Sequence, residues 1–194
     1  MKKFLVIGNP IDHSLSPDLH NYWIKNSSID AIYEKKKINE NQLEQIISQV
    51  RDNKIKGINV TVPFKKTVIP YLDELSSEAQ STQSVNTIYK KDNKIIGHNT
   101  DIFGFETSIK KAEYYLENKE VLILGAGGVV SSIIFSLIKM KASKIKISNR
   151  TKEKAENLKK IFKDIEVLKW GEISNFDMII NATSLGLKKE DSLN

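Results

Sequence analysis

The chain has 194 residues, of which 40% are hydrophobic and 28% charged, the composition of a globular protein with one large or two small domains. It contains no cysteine, so disulfides, thiolate zinc sites and cysteine nucleophiles are excluded. The formal net charge is +6, but the basic residues are lysines apart from Arg51 and Arg150, and the lysines are spread along amphipathic segments. This pattern favours a solvated surface over a nucleic-acid interface, which would use arginine forks.

Targeting and metal-binding signals are weak in this chain. The apolar run at residues 4–8 is too short for a signal peptide, and no segment is apolar over the length of a membrane span. The three histidines have neither metal-ligand spacing nor an HExxH context. We therefore expect a cytoplasmic protein with no membrane partner, no nucleic-acid partner and no metal.

The first hundred residues predict one α/β unit in which short strands alternate with helices. Ser16 and Pro17 predict a helix start, with Ser16 as the N-cap and with Leu19, Trp23 and Ile24 on an apolar face. Strands are expected at residues 3–8, 32–38, 57–62, 85–89 and 94–97, and further helical segments at residues 39–50, 67–72 and 78–83. The dipeptide DN between the last two strands is a hairpin signal.

From residue 101 the pattern changes. Residues 101–116 predict a helix, and a regular series of alternating strands and helices follows from residue 120. The expected strands are 121–124, 144–148, 166–168 and 177–181, and the expected helices are 129–139 and 151–162. This alternation predicts a parallel, doubly wound sheet of the Rossmann type. We therefore expect an α/β protein with two domains, at residues 1–100 and 119–194, joined by a connecting helix at 101–118.

A glycine turn follows the first strand of the second domain, in the sequence VLILGAGGVV. In a βαβ unit, such a turn lets the backbone N–H groups at a helix N-terminus bind a pyrophosphate. The alternative, a tight turn without a ligand, is less consistent with this context. The candidate nucleotide-binding residues are Gly125, Ala126, Gly127, Gly128, Val129 and Val130. Val130 departs from the usual pattern, because close packing of helix on strand there normally requires Gly or Ala.

The second strand of this domain ends in SNRT, which supplies Asn149, Arg150 and Thr151. A unit that binds NAD usually has an acidic residue here, and that residue would repel a 2′-phosphate. A guanidinium can instead bind the 2′-phosphate through two parallel hydrogen bonds. NADP(H) is therefore the expected cofactor, and the alternative is a surface arginine that pairs with Glu153 or Glu156.

A dinucleotide implies hydride transfer, and reduction of a carbonyl also requires a proton donor. Lys65 lies just after the predicted strand GINVTVP, and Asp101 begins the predicted connecting helix. A neighbouring carboxylate favours the ammonium form of a lysine, so we expect Lys65 to donate the proton and Asp101 to orient it. The alternatives are a solvated lysine and an acidic residue that only complements the helix dipole.

Hydroxyl and amide side chains occur in the motifs around Lys65 and Asp101. Such groups can hydrogen-bond a small polyhydroxylated acid. They are Ser14, Ser16, Asn59, Thr61 and Asn86. Two serine hydroxyls in HSLS could bind the carboxylate of such an acid. Ser16 has the alternative role of an N-cap, whereas Ser14 has no such alternative.

The motifs GNPIDHSLSP, NVTVPFK, SVNTI, GHNTD, GAGG, SNRT and NATSLG stand in the order in which they occur in shikimate dehydrogenases, and the chain resembles that family throughout. The resemblance implies reversible, NADP-dependent reduction of 3-dehydroshikimate to shikimate for aromatic amino-acid biosynthesis. It implies a substrate-binding first domain with the residues named above, and an NADP-binding second domain to which Thr183 and Ser184 also contribute. A homodimer is left open.

The resemblance has two limits. Ile102 follows Asp101 where the family mostly has glycine, and family members continue beyond NATSLG to supply a further substrate-contacting glutamine. We therefore expect the NADP-binding domain to be incomplete at its C-terminus. The alternatives are a truncated, non-catalytic binding module, a quinate/shikimate dehydrogenase variant, and another NADP-linked enzyme such as a methylenetetrahydrofolate dehydrogenase or a glutamyl-tRNA reductase. HSLS and the contexts of Lys65 and Asp101 argue against the last.

Overall fold

The computed structural model describes residues 1–186, and the end of the second predicted domain, residues 187–194, lies outside the described residues. The chain forms two compact units, Met1–Thr100 and a second that begins at Asp101. The expected α/β fold, with a mixed sheet followed by a parallel sheet, is confirmed.

The first unit contains a six-stranded sheet in the order β2-β1-β3-β5-β6-β4. Its strands are β1 (Lys2–Gly8), β2 (Ala31–Lys37), β3 (Gly57–Val60), β4 (Glu74–Leu75), β5 (Thr87–Lys91) and β6 (Lys94–His98). Strand β1 pairs in parallel with β2 and β3, whereas β5 is antiparallel to β3 and β6. Asp92 and Asn93 both have positive φ in the predicted hairpin turn, as a type I′ turn requires.

Four α-helices belong to this unit. They are α1 (Ser16–Asn26), α2 (Leu43–Arg51), α3 (Phe64–Thr67) and α4 (Ser77–Thr82). The residues of α2 that repeat with helical period are buried against one face of the sheet, and Asn39 and Gln42 form a capping box on the 3₁₀ turn before it.

The expected extent of β3 is wrong. Strand β3 ends at Val60, so Thr61 lies just beyond the strand, and the side chain of Val62 is 54% exposed rather than half-buried in a strand. Helix α1 lies where it was predicted, and on its apolar face Leu19 and Trp23 are both about half exposed. Periodicity indicated the helix correctly but did not establish what covers it.

The second unit contains a parallel four-stranded sheet in the order β10-β7-β8-β9. Its strands are β7 (Glu120–Leu124), β8 (Lys144–Ser148), β9 (Glu166–Leu168) and β10 (Met178–Asn181), and its helices are α5 (Asp101–Lys111), α6 (Val130–Lys139) and α7 (Lys152–Ile161). The strands and helices alternate as predicted, although α5 is shorter than the expected 101–116.

The core of this unit accommodates both residues that departed from the family pattern. Val130 is completely buried at the start of α6, among the apolar side chains of the sheet and helices. Ile102 is 3% exposed on α5, and its carbonyl oxygen accepts a hydrogen bond from Ser136 Oγ at 3.4 Å. Among the described residues, no helix has the length and apolar character needed to cross a bilayer.

Candidate functional site

The carboxyl ends of β1 and β3 meet at one edge of the first sheet. Thr61 donates its backbone N–H to the Ile7 carbonyl at 2.9 Å, and Asn9 donates to the Val62 carbonyl at 3.0 Å. A Cβ atom at Gly8 would lie 2.6 Å from Thr61 Cγ2, so only glycine permits this approach. The loop that carries Ser14 and the loop that carries Thr61 therefore leave the sheet side by side.

The two serines of the HSLS loop differ in role from the sequence-based expectation. Helix α1 begins at Ser16 after Leu15, and Ser16 makes no capping hydrogen bond with its side chain. Instead, Ser14 Oγ accepts the backbone N–H of Ser16 at 3.3 Å. The assignment of Ser16 as the N-cap is therefore wrong, and the hydroxyl of Ser16 is not committed to the helix end.

Asn59 is half-buried on β3 and lies within a hydrogen-bonded group of polar side chains. Its Nδ2 donates to the Asn86 carbonyl at 3.2 Å and to Thr87 Oγ1 at 3.1 Å, and its Oδ1 accepts from Tyr33 Oη at 2.7 Å. Asn59 and Asn86, two predicted substrate residues, are thus brought together. Tyr33 was not among the predicted site residues.

Asn86 connects the start of β5 to the residue just before α5. Its Nδ2 donates to Thr100 Oγ1 at 2.9 Å, and its Oδ1 accepts the Thr100 N–H at 3.0 Å. Asp101 follows Thr100 directly and begins α5. The start of the GHNTD helix is thus fixed by a side chain of the predicted substrate site. The expectation that Asp101 orients Lys65 stays a prediction.

Lys65 lies on α3, in the segment after Pro63, and its side chain is half-buried. Its carbonyl oxygen accepts the N–H of Val85 at 2.8 Å, which joins α3 to the segment that precedes β5. The lysine is thus set on a short, anchored helix rather than on an open loop.

A cavity of about 280 Å³ lies at the carboxyl end of the second sheet, where a doubly wound fold binds its ligand. Its lining contains Gly125, Ala126, Gly127, Asn149, Arg150, Thr151, Lys154, Trp170, Ala182, Thr183, Ser184 and Leu185. Eight of the eleven predicted cofactor residues are in this set. The three others are Gly128, Val129 and Val130, and the side chain of Val130 lies in the core.

Two of the three glycines of the turn, Gly125 and Gly127, have different structural requirements. Gly125 has φ of +107°, and a Cβ atom there would lie 2.7 Å from the Ala182 carbonyl oxygen. At Gly127 the nearest atom to such a Cβ would be the same oxygen, at 3.8 Å, which is an ordinary contact. Gly125 is therefore required by the fold, whereas the open space at Gly127 faces the cavity where a pyrophosphate would approach.

Arg150 is exposed beside this cavity and, within residues 1–186, forms no ion pair with Glu153, Glu156 or any other acidic side chain. The alternative of a paired surface arginine is therefore not observed. Asn149 Nδ2 donates to the Thr151 carbonyl at 2.7 Å and shapes the SNRT loop. The guanidinium stays available to an anionic ligand, and Lys154, in the first turn of α7, adds a second positive charge.

The NATSLG loop is closed by its own side chains. Asn181 Oδ1 accepts from the N–H of Thr183 at 3.0 Å and from its hydroxyl at 2.7 Å, and Asn181 Nδ2 donates to the Leu185 carbonyl at 3.0 Å. Thr183 Oγ1 in turn accepts the Leu185 N–H at 3.1 Å. The hydroxyl of Thr183 therefore stabilises the loop through these hydrogen bonds, whereas the neighbouring Ser184 is exposed.

Comparison with known proteins agrees with this geometry. The family model "Shikimate dehydrogenase substrate binding domain" matches residues 6–88, and "Shikimate / quinate 5-dehydrogenase" matches residues 107–187. A shikimate dehydrogenase (NADP(+)) from Pelagibacter ubique is 63% identical over 193 residues, which cover 100% of this chain and 73% of the relative. The chain belongs to the shikimate dehydrogenase family.

Solved structures of shikimate dehydrogenases have the same fold. The enzyme from Aquifex aeolicus superimposes with a TM-score of 0.92 at 40% identity, over 100% of this chain and 73% of that one. A shikimate 5-dehydrogenase from Thermus thermophilus, crystallised with NADP(H) and shikimate, gives a TM-score of 0.86 at 30% identity, over 96% of this chain and 70% of that one.

Sequence reasoning missed four residues of the two candidate sites. Lys154 could have been found, because it lies in the first turn of the helix predicted directly after SNRT. Asn181 lies within the quoted NATSLG motif, and its Asx-type bonds to Thr183 are a common loop device. Tyr33 and Trp170 carried no local signal, since each reaches its site through pairing of strands distant in sequence. Within residues 1–186 there is no cluster of His, Cys, Asp and Glu that could hold a metal.

Proposed function

We propose that the protein is a shikimate dehydrogenase that uses NADPH to reduce 3-dehydroshikimate reversibly to shikimate, in the pathway to the aromatic amino acids. The observation that carries this proposal is the nucleotide cavity at the end of β8, where Arg150 forms no ion pair within residues 1–186, in a chain 63% identical to a shikimate dehydrogenase (NADP(+)). A cofactor with a 2′-phosphate suits that guanidinium, whereas NADH offers it no comparable anion.

The residues of the second unit fit NADP(H). Gly127 leaves room for a pyrophosphate, the helix N-terminus of α6 supplies a favourable dipole, and Arg150 with Lys154 supplies positive charge at the end of β8. When bound, the cofactor supplies the hydride. The contribution of the protein on this side is to bind and orient the nucleotide.

The first unit supplies substrate recognition and the proton. Hydride addition to a carbonyl carbon places negative charge on the oxygen, and the Lys65 ammonium both stabilises that charge and donates the proton. Asp101, the first residue of α5, is proposed to orient that ammonium group. Asn59, Asn86 and Thr61 orient the hydroxyl groups, and Ser14 with Ser16 binds the carboxylate.

The proposal is tested by mixing the protein with 3-dehydroshikimate and NADPH and following the loss of NADPH absorbance, with product identified by chromatography. Turnover to shikimate is expected, together with the reverse reaction from shikimate and NADP⁺. Binding of shikimate without turnover would instead indicate a non-catalytic binding module, and equal rates with quinate would extend the substrate class. The proposal also includes a cytoplasmic location, which cell fractionation tests, and a homodimer, which sedimentation equilibrium tests.

A further inference from the structure

Tyr33 and Asn59 lie on the same face of the first sheet, on two strands that are separated by β1. In the parallel registers, Tyr33 lies opposite Phe4, and Asn59 lies opposite Val6. Strands two positions apart are about 10 Å apart, a span that a tyrosine side chain can cross and a shorter side chain cannot. The hydroxyl of Tyr33 completes the span, with its oxygen 2.7 Å from Asn59 Oδ1.

The orientation of the Asn59 amide follows from its partners. The Asn86 carbonyl can only accept, so the Asn59 atom that faces it must be the NH₂ group, and the second N–H is used by Thr87 Oγ1. Both N–H donors of Asn59 are therefore committed within the protein. Its Oδ1 uses one lone pair for Tyr33, which leaves one acceptor site on a half-buried side chain.

Tyr33 is itself held by three contacts from two residues of α1. Asn21 on α1 accepts the Tyr33 N–H at 2.9 Å and donates to the Tyr33 carbonyl at 2.8 Å, and the His20 ring stacks on the phenol with a centroid separation of 4.1 Å. The side chain is 4% exposed, and burial raises the pKa of Tyr33 far above its usual value. The hydroxyl consequently stays protonated at any physiological pH and acts as a donor.

We propose that Tyr33 is a positioning residue for substrate recognition: it fixes Asn59 so that the amide can only accept a hydrogen bond, and the substrate must present a hydroxyl donor to it. This inference rests on the proposed function, because it assigns the role of Asn59 in the same substrate site. A ligand with a carbonyl or ether oxygen at that position would place its acceptor against the acceptor Oδ1 of Asn59. Both oxygens would then lose their hydrogen bonds to water and gain none, which weakens binding.

The test uses Tyr33→Phe, which keeps the ring, the stacking on His20 and the apolar volume but removes the hydroxyl. We expect the KM for 3-dehydroshikimate and the calorimetric Kd for shikimate to rise about tenfold. This rise corresponds to roughly 1.4 kcal/mol, the contribution of one hydrogen bond between uncharged groups. The KM for NADPH should be unchanged. Tyr22→Phe, at an exposed tyrosine on α1, is the matched control and should leave all three constants unchanged.

A double-mutant cycle separates positioning from general stability. In an Asn59→Ala background, Tyr33→Phe should have no further effect on substrate affinity, whereas a purely structural role for Tyr33 would give the same loss in both backgrounds. Additive losses in the double variant, or an unchanged KM in the Tyr33→Phe variant, would overturn the inference about Tyr33. The proposed function would still stand in that case, provided that the parent protein has dehydrogenase activity. If the parent protein neither reduces 3-dehydroshikimate nor binds shikimate, the proposed function fails and the inference fails with it.

Discussion

Gly125 lies so close to the Ala182 carbonyl that a Cβ atom at position 125 would be 2.7 Å from the carbonyl oxygen, whereas the same atom at Gly127 would be 3.8 Å away. Because Gly125 also has φ of +107°, Gly125→Ala should lower the free energy of unfolding by more than about 2 kcal/mol. Gly127→Ala should change it by less than about 1 kcal/mol but weaken NADP⁺ binding at least about tenfold, since the methyl group occupies space needed by the pyrophosphate.

The measurement for this pair of glycines is denaturant unfolding together with calorimetric titration of NADP⁺. A Gly127→Ala protein with normal affinity would mean that the pyrophosphate does not approach the turn at this residue. A Gly125→Ala protein of normal stability would contradict the structure of the turn itself.

Arg150→Ala should raise the KM for NADPH about ten- to hundredfold, because a charge-assisted contact to the 2′-phosphate is worth roughly 1.5–3 kcal/mol. The KM for NADH should change little. Lys152→Ala removes a neighbouring positive charge that does not line the cavity, and serves as the control. Equal losses with both cofactors would show that Arg150 maintains the loop rather than recognising the phosphate.

Lys65→Met should reduce kcat by about two to four orders of magnitude and leave shikimate binding within a few-fold of normal, because the lost proton transfer belongs to the transition state. Lys66→Met is the matched control at the next position of α3, where the side chain is exposed. Steady-state kinetics and calorimetry measure the two quantities. Near-normal kcat in the Lys65 variant would remove this lysine from the mechanism.

The fluorescence of Trp170 should report nucleotide binding, because its side chain lines the same cavity as Arg150. The chain contains two tryptophans, so a Trp23→Phe protein has Trp170 as its single indole emitter. Titration with 2′,5′-ADP, which has no nicotinamide, should change the emission and saturate. An Arg150→Ala change in the same background should shift the titration midpoint to higher concentration, and an emission unaffected by 2′,5′-ADP would place the adenosine elsewhere.

Asp73 should make the stability of the protein depend on pH in the acid range. Two hydrogen bonds from the Arg51 guanidinium, at 2.8 and 3.0 Å, and one from the Ile95 N–H hold the pKa of Asp73 below its usual 3.8. The unfolded chain therefore binds the proton more readily, so this stabilisation is present above pH 3.8 and is lost as the pH falls through the lower folded-state value.

Asp73→Asn should accordingly melt at a lower temperature than the parent protein at neutral pH, and the difference should shrink as the pH falls below 3.8. Thermal melts across this range, with Asp164→Asn as an exposed control, measure the effect. A difference in melting temperature that is constant with pH would mean that the carboxylate charge does not stabilise the fold.

Local chemistry made much of this fold predictable. The hairpin turn at Asp92 and Asn93, the glycine turn of the second unit and the alternation of its strands with helices all depend on neighbouring residues, and all three are observed. The two-residue strand β4 was missed, because its only strand partner is β6, to which it pairs at the sheet edge. No periodicity can be read from two residues.

Recognition chemistry was less predictable than the fold. Ser16 was assigned as a cap from its position before Pro17, but the acceptor is Ser14, since the helix begins one residue earlier than expected. Tyr33 is brought to Asn59, in the candidate substrate site, by the parallel pairing of β1 with β2 and β3. Such residues require the sheet order, which a single sequence does not provide.

The self-bonded NATSLG loop has a consequence for cofactor affinity. Fixing a flexible residue costs roughly 1–2 kcal/mol in backbone entropy. When a loop becomes ordered only on binding, this cost reduces the net binding free energy that its contacts provide. Here Asn181 and Thr183 already hold the loop through hydrogen bonds within the protein. A nucleotide bound in this cavity would therefore meet a preorganised loop, and most of the interaction free energy at Ser184 and Leu185 would be available as affinity.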